Sequence, residues 1–175
     1  MTYRTDLSFC KDLIKNGSHS FYAASKLLPA KVRNPALILY AFCRLADDAI
    51  DDSSCKQKSF LKLNRRLELV YKGKPLDTPY DRAFTNMVEK FQLPKTLPQA
   101  LLEGMKWDAE GRQYKNLSDL KSYSARVASA VGVMMCVIMG ARNKHVLARA
   151  CDLGVAMQLT NIARDIGEDA REGRI

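Results

Sequence analysis

The sequence lacks the patterns that mark a disulfide framework, a secretory signal or a membrane span. Its five cysteines are an odd number, and no two of them stand at Cys-x-x-Cys spacing. We therefore expect no disulfide framework and a reducing compartment. The longest apolar run, 127–141, is shorter than the roughly 20 residues that cross a bilayer, and the N-terminus has no apolar signal region. These absences predict a cytoplasmic protein.

Basic residues are numerous, but they are not clustered. Lys and Arg number 28 against 19 for Asp and Glu, a formal net charge of +9. Such a charge favours anionic partners, which include nucleic acid, acidic lipid surfaces and phosphorylated substrates. The tightest group, 62–66, lies in a predicted helix, and no run of five or six basic residues occurs. Clustered basic residues with exposed aromatics are missing, so we expect no nucleic-acid partner.

Helical periodicity dominates the chain, and no convincing strand alternation, repeat or linker interrupts it. We predict one all-α domain over residues 1–175. The predicted helices lie near 5–15, 18–28, 35–51, 56–72, 79–91, 96–108, 117–140 and 143–170. Pro35 is expected in the first turn of the third helix, and Gly132 and Gly140 within the seventh, where they favour either close packing or room for a long ligand.

A first acidic motif, Asp47-Asp48-Ala49-Ile50-Asp51, follows an apolar run at 36–43. On a helix the carboxylates of Asp47 and Asp51 project from one face, and Arg44 and Tyr40 continue that face. A helix that is apolar almost all round is normally buried. The pattern therefore predicts acidic side chains on a buried helix.

A second acidic motif has the same arrangement, with an apolar run followed by carboxylates four residues apart. Gln158, Asn161, Asp165 and Asp169 follow one another at spacings of three, four and four, and form one polar stripe. The preceding run, 153–157, is apolar, so this helix is also predicted to be buried. Taken singly, each motif could equally be the solvated end of a surface helix.

Together the two motifs favour a bound cation. Carboxylates four residues apart repel each other, and Asp is a poor helix former. Oxygen ligands with no nearby His or Cys suit a hard ion, Mg²⁺ or Mn²⁺. Since Mg²⁺ binds one or two carboxylates together with substrate phosphates, the motifs predict a diphosphate site flanked by Arg44, Arg164 and Arg174.

In combination, these motifs resemble the paired aspartate-rich motifs of squalene and phytoene synthases. The resemblance runs over essentially the whole chain, including 17–21 (Gly-Ser-His-Ser-Phe), 40–44 (Tyr-Ala-Phe-Cys-Arg) and 123–132 (Tyr-Ser-Ala-Arg-Val-Ala-Ser-Ala-Val-Gly). In the last segment Ser124 and Ser129 replace the commoner Cys and Gly. Segments 131–135 and 151–161 look most like bacterial phytoene synthases.

The resemblance implies an isoprenoid synthase-type helical bundle around a central cavity, with a role for each matching residue. It implies that Mg²⁺ ions are held by Asp47, Asp51, Asp165 and Asp169. Phosphate contacts are implied for Ser18, Ser20, Arg44, Arg164 and Arg174. Tyr123 would lie near the reacting carbons, and Gln158 and Asn161 beneath the metal ions. The isoprenoid chains would be faced by Phe21, Tyr40, Val127, Ala128 and Gly132.

The implied activity is that of a prenyltransferase in carotenoid biosynthesis. Two geranylgeranyl diphosphates would condense head-to-head, through prephytoene diphosphate, to phytoene, with loss of diphosphate and no need for NADPH. The alternative is a synthase of presqualene diphosphate, squalene or dehydrosqualene that acts on farnesyl diphosphate. A non-catalytic protein with this fold would be expected to lose acidic residues, yet all four key aspartates are present.

Relatives of this kind continue past Arg174 into several more helices. We therefore expect the chain to lack C-terminal helices, to expose apolar faces and to turn over little substrate alone. A lipophilic substrate would favour peripheral association with the inner face of the membrane. The sequence leaves the oligomeric state open.

Overall fold

The structure is a computed structural model that describes residues 2–51 and 55–171, without the side chains of residues 2, 3, 51 and 169. Within these ranges the chain forms helices and no β-strand, so the all-α prediction is confirmed. The elements are α1 (Thr2–Gly17), α2 (His19–Ser25), α3 (Ala30–Asp51), α4 (Lys56–Tyr71), α5 (Pro79–Phe91), α6 (Thr96–Ala109), α7 (Leu117–Ser124), a π-helical segment (Ala125–Ser129), α8 (Ala130–Ile138) and α9 (Lys144–Arg171).

The core lies where α3, α5, α6 and α8 meet. Phe42 of α3 stacks on Phe84 of α5, with ring centroids 4.3 Å apart and planes 3° apart. Leu39, Leu102 and Met134 are almost completely buried around them. The apolar run that precedes the first acidic motif is therefore a core segment, as predicted, and it anchors α3 firmly.

Two ion pairs with buried carboxylates tie the outer helices to α5. Asp6 of α1, 2% exposed, accepts from Arg82 at 2.6 Å, and Asp81, 5% exposed, accepts from Arg66 of α4 at 2.9 Å. Buried carboxylates are costly unless they are paired. These pairs therefore hold α1 and α4 in one arrangement against α5.

Helix α3 begins at Ala30, five residues before the predicted start at Pro35. The prediction was wrong because Pro35 lies in the second turn of a helix whose first turn forms without it. At that position proline forgoes one backbone hydrogen bond and crowds the carbonyl four residues earlier, but the helix continues. Here the amides of Val32 and Arg33 both donate to the carbonyl of Pro29, at 2.9 and 2.8 Å. These bonds form the first turn without any contribution from Pro35.

The predicted seventh helix is continuous from 117 to 138, but a π-helical segment occupies its middle. The helix ends before Gly140, which has φ +94° and lies in the closing turn rather than inside the helix as expected. The amide of Ala141 donates to the carbonyl of Cys136 at 2.9 Å there. Such a turn needs a left-handed residue, which glycine adopts without steric cost.

Candidate functional site

Asp47 and Asp48, the two neighbouring aspartates of the first acidic motif, interact with different groups. Arg44 forms an ion pair with Asp48 at 2.8 Å, one helical turn further on. Asp47 and Asp48 are both half-buried. Burial, with a contribution from the charge of Asp47, raises the pKa of the Cys43 thiol to about 12. Asp48 is therefore the partner of Arg44, whereas the charge of Asp47 acts on Cys43.

The N-terminal serine element forms the entry to α2. Ser18 caps the helix by accepting from the amide of Phe21 at 3.3 Å, and its hydroxyl lies 3.3 Å from that of Ser20. The ring of Phe21 is 64% exposed, and its centroid lies 6.4 Å from that of Tyr40 on α3. Ser18, Ser20, Phe21 and Tyr40 are thus brought together near the middle of α3.

Helix α9 leaves part of its apolar surface in solvent. Leu153 and Met157 are 61% and 59% exposed, whereas Gln158, Asn161 and Asp165 are half-buried, as are Leu159 and Ile162. The prediction that the run 153–157 is buried was therefore wrong. The reason is that α9 packs through the face that carries Gly154, and the polar stripe continues that face at helical spacing.

The continuous helix 117–138, called here the central helix, contacts both α6 and α9 at its π-helical segment. A Cβ added at Gly104 of α6 would lie 2.6 Å from Cγ1 of Val127, and one added at Gly154 of α9 would lie 2.5 Å from Cα of Ser129. The Ser129 hydroxyl also donates to the carbonyl of Cys151 at 2.7 Å. Segments of π-helix occur often at functional sites, and this one carries Val127 and Ala128.

Helix α9 runs antiparallel to the central helix. Gly132 lies opposite the carbonyl of Ala150, which a Cβ would meet at 3.7 Å, while Ser129 lies opposite Gly154. Gly132 therefore faces α9. Continuing the same register past Ser129 brings Tyr123 level with Gln158 and Asn161, and α7 does contact α9.

The phenol of Tyr123 has a raised pKa. Burial is the largest cause, followed by the hydrogen bond that its hydroxyl donates to Asp108 and by the charges of Asp108, Tyr114 and Asp47. Tyr123 is therefore a half-buried phenol whose hydrogen is committed to Asp108.

Asp165 forms an ion pair with its neighbour Arg164. The guanidinium Nε lies 2.7 Å from one carboxylate oxygen, and Nη2 lies 2.9 Å from the other. These two hydrogen bonds lower the pKa of the Asp165 carboxyl. The predictions for the side chains of Asp51 and Asp169, and for Arg174, fall outside the described residues.

The carboxylates of the two motifs are the donor type that a hard divalent cation prefers. Among the described side chains, no three His, Cys, Asp or Glu residues converge on one point. Asp47 and Asp165 are the aspartates of the two predicted metal pairs whose side chains are described. By donor type, each would suit Mg²⁺, which binds one or two carboxylates together with substrate phosphates.

Sequence reasoning missed a cluster beside Tyr123. It contains Asp108, the acceptor of the Tyr123 hydroxyl, and Tyr114, whose ring centroid lies 5.0 Å from that of Tyr123. It also contains Trp107, with the guanidinium carbons of Arg112 and Arg126 at 3.9 and 4.1 Å from its ring centroid. One signal was available, because Asp108 stands at the C-terminal end of α6, where the helix dipole disfavours an acid.

Comparisons with known proteins agree on one family. The family model described as Squalene/phytoene synthase matches residues 14–175. Two curated relatives named phytoene synthase, from Rhodobacter capsulatus and Cereibacter sphaeroides, are 59% and 57% identical over the whole chain. The chain spans about half the length of these relatives, 52% of each.

Solved structures of the same kind share the fold. A dehydrosqualene synthase in complex with ligand superposes with a TM-score of 0.89 at 36% identity, covering 99% of this chain and 61% of that one. The squalene synthase HpnC from Alicyclobacillus acidocaldarius superposes with a TM-score of 0.92 at 26% identity, covering 99% and 66%. Among the described helices, none combines the length and the apolarity that a bilayer crossing requires.

Proposed function

Because this chain belongs to the squalene/phytoene synthase family, we propose that it forms part of a prenyltransferase that condenses two geranylgeranyl diphosphates head-to-head to phytoene. The resemblance drawn from the sequence motifs is confirmed at the level of the family. The choice of phytoene as product is supported by the curated relatives of highest identity quoted above, which are named phytoene synthases. A product made from farnesyl diphosphate is the second candidate, supported by the names of the two solved structures.

The observation that carries this proposal is the orientation of α9. A helix that leaves Leu153 and Met157 in solvent gains little from hydrophobic burial on that side. It nevertheless keeps Gln158, Asn161 and Asp165 half-buried. Departures from the ordinary hydrophobic pattern are expected at functional sites. The orientation therefore supports a polar site on the inner face of α9.

In the proposed site, Mg²⁺ would be held by Asp47 and Asp51 on one side and by Asp165 and Asp169 on the other. Bound there, it would neutralise the charge that develops on a departing diphosphate. Arg44 and Arg164 are tied to neighbouring carboxylates, so each can exchange that partner for a phosphate oxygen, and Arg174 would join them. The hydroxyls of Ser18 and Ser20 would complete the phosphate contacts.

The apolar residues of the proposed site would protect the reacting carbons. Loss of the first diphosphate leaves an allylic cation that must be kept from water. Phe21, Tyr40, Val127 and Ala128 would line the path of the isoprenoid chains, with Gly132 behind them. The double bond of the second substrate attacks the cation, and a second ionisation and rearrangement follow. Two diphosphates and two protons leave overall, so no reductant is consumed.

The two adjacent aspartates of α3 provide a matched test. In the complete gene product, Asp47→Asn should lower kcat by on the order of 100-fold, because it removes a charge from the reaction centre. Asp48→Asn should cost less than about 10-fold, because Asp48 acts only through the exposed side chain of Arg44. Phytoene would be measured by chromatography after incubation with geranylgeranyl diphosphate and Mg²⁺. Equal losses in the two variants would contradict the assignment of Asp47.

Substrate choice requires a separate experiment. The complete gene product would be incubated with farnesyl or geranylgeranyl diphosphate, with and without NADPH. Phytoene from the longer substrate, independent of NADPH, is the expected result. A preference for farnesyl diphosphate would establish the second candidate instead. We also propose that residues 1–175 alone turn over little, and that the lipophilic product favours association with a membrane surface.

A further inference from the structure

The hydroxyl of Tyr123 has a defined partner outside the two acidic motifs. It donates its hydrogen bond to Oδ2 of Asp108, at the C-terminal end of α6. The ring of Tyr114 packs against that of Tyr123, with the planes inclined at 32°. The phenol is thus held at two points, by a carboxylate at its oxygen and by an aromatic ring at its face.

Asp108 is itself held in a rigid setting. Its neighbour Trp107 has the guanidinium carbons of Arg112 and Arg126 at 3.9 and 4.1 Å from its ring centroid. Arg126 also donates to Glu103 at 2.9 Å and to the carbonyl of Ser122 at 3.0 Å. The end of α6 is therefore clamped to α7 and to the π-helical segment, which keeps Asp108 beside Tyr123.

A phenol has one hydrogen to donate and retains lone pairs to accept. We propose that Asp108 is a positioning residue that takes the only hydrogen of Tyr123, so that the phenol presents an electron-rich oxygen and ring to the substrate. Tyr123 then cannot donate a hydrogen bond to a diphosphate. It stabilises developing positive charge on the carbon skeleton, as aromatic rings and oxygen lone pairs do.

This inference rests on the proposed function, and a double-mutant cycle in the complete gene product tests it. Tyr123→Phe and Asp108→Ala should each lower kcat for phytoene formation by about 10- to 100-fold, since a misplaced group near the reaction centre costs this much. KM for geranylgeranyl diphosphate should change by less than about threefold, because no ground-state contact is lost. The double variant should be no slower than the slower single variant.

Two matched variants separate positioning from folding. Asp108→Asn keeps an acceptor oxygen and should recover most of kcat. Glu110→Gln removes an exposed carboxylate at the same end of α6, where it pairs with Lys106 at 3.6 Å, so it should leave kcat unchanged. Full activity in Asp108→Ala, or an Asp108→Asn variant as slow as Asp108→Ala, would overturn the proposal. So would losses that multiply in the double variant.

A second cycle distinguishes failure of this inference from failure of the proposed function. Wild type, Tyr123→Phe, Asp108→Ala and the double variant would be unfolded in urea, and the shifts in the unfolding midpoint would be compared. Removing the Tyr123 hydroxyl should lower the midpoint more when Asp108 is present than when it is Ala. If the wild-type enzyme makes no phytoene but the midpoints show this coupling, the proposed function and the role of Tyr123 toward the substrate are overturned. The hydrogen bond between Tyr123 and Asp108 would still stand. Additive shifts would overturn the pair itself.

Discussion

Gly154 and Ser129 bring α9 and the central helix into backbone contact. A Cβ built on Gly154 would lie 2.5 Å from Cα and 2.8 Å from N of Ser129, closer than real Cβ atoms approach. The neighbouring hydrogen bond from Ser129 to Cys151, at 2.7 Å, fixes the same level of the two helices. Since the polar stripe of α9 continues from Gly154, this contact sets how closely the stripe approaches the central helix.

We predict that Gly154→Ala destabilises the protein by about 1–3 kcal/mol, the usual cost of overpacking against backbone that cannot move aside. Gly132→Ala is the matched control in the same interface, because the nearest atom to its added Cβ is the carbonyl oxygen of Ala150 at 3.7 Å. That change should be neutral or gain up to about 1 kcal/mol from helix propensity. Urea unfolding followed by circular dichroism measures both. Equal effects in the two variants would contradict the close contact.

A second prediction concerns the buried carboxylate of Asp6. Arg82 is its partner, and Arg82 also binds Asp77, whose side chain is 97% exposed. Arg82→Met should cost about 3–5 kcal/mol, because it leaves Asp6 charged and unpaired in the core. Asp77→Asn removes the exposed partner of the same arginine and should cost less than about 1 kcal/mol. Comparable losses of unfolding free energy in both variants would show that the stability contributed by Arg82 does not come mainly from its ion pair with Asp6.

Much of the fold could be predicted because local pattern and tertiary structure agree. The run at 36–43 is apolar on every side, and Leu37, Ile38 and Leu39 are accordingly buried. The start of α5 at residue 79 was also predicted, and Pro79 there occupies the first helical position, where its missing N–H costs no hydrogen bond. The start of α3 was misplaced because a proline signals a helix start more often than it sits inside one.

The candidate site was less predictable, because its assembly depends on contacts between distant helices. The apolar residues of α9 suggest a buried face, yet which face is covered is decided by Gly154, whose missing side chain gives no periodic signal. The partnership of Tyr123 with Asp108 likewise depends on how α6 is clamped to the central helix. Sequence spacing indicates which side chains share one helix face, but not what lies opposite them.

A third prediction uses Trp107, the only tryptophan of the chain. Arg126→Met removes its stacking on Trp107, its pair with Glu103 and its bond to Ser122, and should cost about 1–2 kcal/mol. Arg112→Met removes only an exposed stacking contact and should cost less than about 1 kcal/mol. Tryptophan fluorescence should change in both variants, since each uncovers the indole. An unchanged emission spectrum in either variant would contradict that arginine's contact with the indole ring.

A fourth prediction concerns the exposed stripe of α9, formed by Val146, Leu153 and Met157 at helical spacing. The chain of residues 1–175 should bind a hydrophobic dye at this stripe and self-associate, as exposed apolar patches do. Leu153→Glu should reduce both. Leu61→Glu is the control, because Leu61 is 62% exposed among the charged residues of α4 and should change neither. Sedimentation and dye fluorescence measure the outcome, and equal reductions in both variants would contradict a specific patch.

The last prediction is a loss of stability at alkaline pH that depends on Cys10. Burial raises the pKa of this thiol from about 9 to about 12. Between these values the unfolded chain has released the proton while the folded protein retains it, so unfolding releases a proton and becomes more favourable as pH rises. The contribution of Cys10 is complete below about pH 9 and declines toward about pH 12, by up to about 1.4 kcal/mol per pH unit.

Urea unfolding at about pH 8 and about pH 10.5 tests the slope. At about pH 8, Cys10→Ala should be less stable than wild type, because the substitution leaves a small cavity. Between about pH 8 and about pH 10.5, however, it should lose less stability than wild type does. Cys43 has its pKa raised to the same region, so Cys43→Ala should flatten the slope in the same way. Cys55 is exposed, and Cys55→Ala should leave the slope of wild type. If Cys10→Ala and Cys55→Ala fall equally steeply, the alkaline loss arises elsewhere than at the buried thiol.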